Sequence, residues 1–159
     1  MLWGQLLIAS RAAVRQALTL VDGVQGDATV LARRLIALAH ALRHQLRGGA
    51  VRDDMARLLP ADEAARVAAA RRMQAGRYAG TPARTNAEAE GKQLETPDLL
   101  SEDARQLLLR AAESMKLSAR AWTRVLRVAR TIADLDGQAQ TGRAHVAEAL
   151  GFRRRVVAA

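Results

Sequence analysis

LSARAWTRVLRVARTIADLDG, Leu117 to Gly137, is the stretch that decides how this chain folds. At about 100° per residue, Arg120, Arg124, Arg127 and Arg130 fall within one sector of a helix. Ala121, Trp122, Val125, Val128, Ala129, Ile132 and Ala133 fill the opposite sector. One face is predicted to pack, the other to meet anions or water. Ser118 is a natural N-cap, because its side-chain oxygen can accept an orphan backbone N–H of the first turn, and Gly137 is a natural stop.

Working outward, the breaks are Asp22-Gly23, Gly26-Asp27, Gly48-Gly49, Pro60, Gly80-Thr81-Pro82, Thr96-Pro97 and the run from Gly137 to Gly142. Helices are predicted between them, over about 5–21, 29–47, 52–58, 62–79, 87–94, 101–116, 118–136 and 143–151. No segment alternates with period two. The expected fold is therefore all-α, a helical bundle in which two or three helices precede a second-half bundle, with domains at 1–60 and 61–159. In the first half, Leu31, Leu35, Leu38, Leu42 and Leu46 recur at three- or four-residue steps and form an expected packing face.

Composition agrees with closely packed helices. Of 159 residues half are apolar, yet the aromatics are only two Trp, one Tyr and one Phe, so Ala, Leu and Val must build the core. The net charge is +9, nearly all from arginine, since lysine occurs only at Lys92 and Lys116. Such a balance suits phosphate-bearing partners, and equally reflects a GC-rich genome, which favours arginine over lysine and much alanine. With no cysteine, disulfides and thiol chemistry are excluded. No apolar run approaches the ~18 residues of a spanning helix, and Leu6 to Ala9 is too short for a signal-peptide core. A cytoplasmic location is the expectation.

The Leu117–Gly137 stretch closely resembles the C-terminal helical domain, or lid, of the magnesium-chelatase-like AAA+ ATPases of the ComM/YifB competence-protein family. The resemblance extends back through Ala64-Ala65-Arg66-Val67-Ala68-Ala69-Ala70-Arg71, Gln74, Arg77 and Asn86-Ala87, and forward to His145–Arg153. It covers roughly Ala61 to Val156. LARRLIALAHALRHQLRGG, with LVDGVQGD before it and DDMARLLP after it, resembles the cytoplasmic helical part of bacterial bestrophin-like anion channels over about residues 1–72. None of that family's membrane-spanning, pore-lining helices is brought with it, so channel activity is not carried over. Two resemblances meeting near Pro60 to Arg72 read as a chimeric or truncated arrangement of two partial domains, or as a small protein descended from such a fusion.

The lid resemblance implies a role for Arg120, that of the sensor-2 arginine, which reaches the γ-phosphate of a nucleotide bound by an α/β core. A guanidinium on the first turn of a capped helix can aim two forked donors at phosphate oxygens. Arg124, Arg127 and Arg130 are expected on an anion-, DNA- or subunit-facing surface, with Asp134 as an exposed partner of Arg130 worth about 0.3–0.5 kcal/mol. The family's ATP and magnesium belong to a core that this sequence lacks. GxxxxGK[ST] is missing: Gly91-Lys92 is followed by Gln93 and has Asn86 where the first glycine should stand. Hydrolysis by this chain alone is not expected, and no cofactor is expected in it.

Expected partners are an AAA+ core or neighbouring subunits, with DNA or a second copy as candidates. His40 and His44 lie four apart but lack the glutamate of HExxH and a third ligand, so no metal site is expected. Glu88-Ala89 stands where the family commonly has a leucine after Asn-Ala, and is expected to cost core volume. Two rival readings remain: a basic nucleic-acid-binding module using Arg124, Arg127 and Arg130, and a helical oligomerisation fragment of a bestrophin-like channel.

Overall fold

The computed structural model describes residues 8–16, 25–47 and 57–154. Their regular structure is helical, with no strand among them, in keeping with the absence of period-two patterning. Residues 8–16 are helical; then come α1 (Gln25–Arg47), α2 (Ala61–Arg77), α3 (Gly91–Leu94), α4 (Glu102–Met115), α5 (Ala119–Leu135) and α6 (Arg143–Arg154). Of the helix expected over 52–58, residues 57 and 58 are helical and the rest lies outside the described residues, as do 17–24.

The chain divides into two compact units, Met1–Ala64 and Ala65–Ala159. In the first, α1 buries Ala37 and leaves Ile36 and Leu38 exposed. Leu38 was expected to pack; Leu31, Leu35 and Leu42 are half-buried, so the packed face turns toward Ala37.

In the second unit α6 packs on both α4 and α5, and α3 packs on α5. The core joins Tyr78, Ala83, Ala89, Leu94 and Leu100 to Ala104 and Leu108 of α4, Val125, Leu126 and Ala129 of α5, and Val146 and Ala149 of α6. Ala89, Ala104, Ala129 and Ala133 have no solvent exposure at all. Small side chains at these positions let the helices approach closely, which is how so few aromatic residues still close a core. Ala89 is thus part of that core.

Helix ends follow local chemistry. Ser101 Oγ accepts the Ala104 N–H, and acids Glu102 and Asp103 occupy the first turn of α4, where the helix dipole favours them. The α4 C-terminus closes with Lys116 at φ 48, while the Leu117 N–H returns to Ala112 O at 3.0 Å. The α5 C-terminus closes the same way around Gly137 at φ 69, with Gln138 N–H to Ala133 O at 2.8 Å and Gly137 N–H to Asp134 O at 3.1 Å. Both are left-handed caps with paired return bonds; glycine adopts that conformation without steric cost and lysine does not.

Candidate functional site

The first turns of α5 are fixed from behind. Ser118 Oγ accepts the Ala121 N–H at 3.3 Å, and Ala121, Val125, Leu126, Ala129 and Ala133 are buried. Trp122 is half-buried, and its indole N–H donates to Glu95 Oε1 at 2.8 Å. From this anchored helix Arg120 and Arg124 project on the exposed side, followed one turn later by exposed Val128. Neither arginine makes a hydrogen bond or ion pair among the described residues.

The other two arginines of the stripe turn inward, which corrects the expected anion- or DNA-facing surface. Arg127 is half-buried and donates from Nε and Nη2 to Ala89 O at 3.0 and 2.8 Å. Arg130 is 1% exposed. Its Nε and Nη2 donate to Asp134 Oδ1 at 3.1 and 2.9 Å, its Nη1 to Ala139 O at 2.8 Å, and its Nη2 also to Gln138 O at 2.5 Å. The exposed ridge of α5 runs Arg120, Arg124, Val128 rather than along four arginines. The helix is rotated because α6 and the segments before and after it cover the flank that carries Arg130. Val128, expected inside, takes the outward place.

Asp134 is likewise no surface partner. Its side chain is fully buried and accepts from Arg77 Nη1 and Nη2 (3.0 and 2.5 Å), from Asn86 Nδ2 (2.8 Å) and from Arg130. Asn86 Nδ2 also donates to Thr131 Oγ1, while its Oδ1 accepts from Tyr78 and Arg77. Burial alone would raise the Asp134 carboxyl, but hydrogen bonds from Arg77 and Asn86 and the charges of Arg130 and Arg77 outweigh it, so its pKa is lowered. Its hydrogen bond raises the pKa of Arg77 against burial, and burial lowers that of Arg130 despite the same carboxylate. No buried side-chain polar atom among the described residues lacks a partner. In the sequence Arg77 and Asn86 stand out only as points of resemblance; the usable signal is Arg130 and Asp134, oppositely charged and four apart on one helix.

Beside the ridge lies an open groove of about 630 Å³, bordered by α3 and the start of α5. Glu90, Gly91, Lys92, Glu95, Leu117, Ala119, Trp122, Thr123 and Arg127 line it. A Cβ at Gly91 would stand 3.1 Å from Thr123 Oγ1, close enough that the threonine side chain would have to shift by a few tenths of an ångström. The free guanidinium groups of Arg120 and Arg124 suit phosphate oxygens. No group of three His, Asp or Glu side chains placed to hold a metal ion is found among the described residues. The side chain of His44 lies outside the described residues, and the His40–His44 pairing with it.

Residues 60–153 match the family model for magnesium chelatase, subunit ChlI C-terminal, and residues 1–101 match that for bacterial/fungal bestrophin protein. The two overlap over 60–101, beyond the expected limit near residue 72; from residue 65 onward this overlap belongs to the second compact unit. The competence protein ComM of Haemophilus influenzae is 42% identical over 71 residues, which is 45% of this chain and 14% of the relative. The uncharacterized protein YifB of Salmonella typhimurium is 40% identical over 68 residues, 43% of this chain and 13% of the relative. A voltage-dependent anion channel-forming protein of Ralstonia nicotianae is 50% identical over 72 residues, 44% of this chain and 24% of the relative. The chain thus spans less than a quarter of each relative's length. No solved structure matches it.

Proposed function

The chain belongs to the magnesium chelatase subunit ChlI C-terminal family over residues 60–153 and to the bacterial/fungal bestrophin family over residues 1–101, and from the first membership we propose that its second unit is a non-catalytic AAA+ lid. In this reading the lid contacts the nucleotide of a separate ATPase core through Arg120 and meets neighbouring subunits through its exposed faces. The single observation that supports it is Arg120 itself: exposed, without a protein partner, on the first turn of a capped helix whose opposite side is locked into the core. A competence protein among the relatives favours a DNA-processing machine as the setting. Direct DNA binding through Arg124, Arg127 and Arg130 is not favoured, because two of the three are engaged inside the fold.

The test is reconstitution. The full chain is added to a ComM-type ATPase core whose own C-terminal domain has been removed, and nucleotide affinity and turnover are measured. Wild-type chain should tighten nucleotide binding and Arg120→Ala should abolish the gain; no effect of the wild-type chain overturns the reading. By calorimetry, the chain alone should show no submillimolar ATP binding.

A second reading concerns the first unit. No described helix is long and apolar enough to cross a membrane, and channel activity is not proposed. An oligomerisation element is the reading left for this unit, and it rests on the bestrophin match. Solution mass should fall when residues 1–60 are deleted; a monomeric mass in wild type rules the reading out.

A further inference from the structure

Of the four arginines on α5, two have their donors committed inside the fold and two have none committed. The uncommitted pair is oddly placed. Arg120 and Arg124 are four residues apart, so their Cβ atoms stand about 5–6 Å apart on one face, where like charges oppose helix formation. They also sit near the positive end of the helix dipole, and α5 has no acid in its first turn to offset them. Two adjacent cations thus stand without a partner among the described residues where the electrostatics of their own helix disfavours them.

The groove gives the pair a direction. Ala119 and Thr123, the residues immediately before the two arginines, line it, and so does Lys92, which has no partner among the described residues. Of its two acids, Glu95 accepts the Trp122 indole N–H and Glu90 caps α3. Both acids of the groove are therefore engaged, and of its two cations Arg127 is held by Ala89 O while Lys92 is uncommitted.

We propose that Arg124 is a second phosphate-contact residue that acts with Arg120, so that the α5 ridge clasps the phosphate chain of one nucleotide rather than touching a single phosphate. The clasp rests on the lid reading above. A small polyanion suits the surface better than a duplex, whose backbone needs a longer basic track; here the charged ridge stops at Val128. Two forked guanidinium groups on one helix face can share the oxygens of a single phosphate chain.

The experiment uses the same reconstituted assembly, with a fluorescent ATP analogue as probe and its dissociation constant as the readout beside turnover. Arg124→Ala is expected to weaken nucleotide binding about tenfold, with Arg124→Lys recovering part of the loss. Thermal unfolding of the variants should match wild type, because the exposed side chain makes no hydrogen bond or ion pair among the described residues. If Arg120→Ala weakens binding and Arg124→Ala does not, the clasp is wrong and the lid reading stands. If neither changes binding, the lid reading itself fails. Duplex DNA displacing the analogue from the assembly, with Arg124→Ala abolishing that displacement, would overturn the nucleotide as occupant.

Discussion

Arg77, the last residue of α2, and Asp134, near the end of α5, are 57 residues apart in sequence and meet as a two-pronged ion pair, Nη1 to Oδ2 at 3.0 Å and Nη2 to Oδ1 at 2.5 Å. The same carboxylate neutralises buried Arg130, so one anion serves two guanidinium groups. Asp134→Ala should cost about 3–5 kcal/mol, because it leaves two cations in the interior without a counter-charge. Denaturant unfolding measures this; a loss below about 1 kcal/mol would show that water reaches the site and relieves it.

The lowered pKa of Asp134 makes stability depend on pH in one direction. The unfolded carboxyl titrates near 3.9, and the folded one lies below that. The stabilisation is therefore fully present above about pH 4 and is lost as pH falls through the folded value. Acid unfolding should steepen in that window for wild type, and Asp134→Asn should flatten it; an equally steep profile in the variant would assign the loss to other carboxylates.

Lys116 holds a left-handed conformation that glycine takes freely. Lys116→Gly should therefore stabilise the chain by roughly 0.5–1 kcal/mol, provided the Leu117 N–H keeps its bond to Ala112 O. A raised melting temperature is the readout, and a lowered one would mean the lysine stem contributes packing that outweighs its backbone cost.

Ser118→Ala removes the oxygen that accepts the Ala121 N–H and should cost about 1 kcal/mol. Ser118→Asp should restore the cap and add a favourable charge at the helix start. If both variants melt alike, the cap contributes nothing measurable and the first turn is held by Trp122 and Glu95 alone.

The helices of the second unit were legible because their boundaries are written locally. Ser101, Ser118 and Gly137 bound α4 and α5 within a residue or so of where spacing placed them, and the lid resemblance ran through the same segments. The heading of the arginines was not legible. A helical wheel assigns Arg130 to the polar sector, but its burial depends on acceptors supplied by Ala139 and Gln138 and on a carboxylate already held by Arg77 and Asn86. Those partners come from turns and from another helix, and no periodicity reports them. Arg120 was read as a site from resemblance, whereas its lack of a protein partner is visible only in three dimensions.

The buried guanidinium of Arg130 also works as an index pin. Held by the loop after α5 and by Asp134 on the next turn of its own helix, it prevents α5 from rolling about its axis, and the angle at which Arg120 leaves the surface is set from ten residues away. On the proposed nucleotide contact of Arg120, Arg130→Lys, which keeps the charge and gives up the planar fork, should lower nucleotide affinity in the reconstituted assembly while the second unit remains folded.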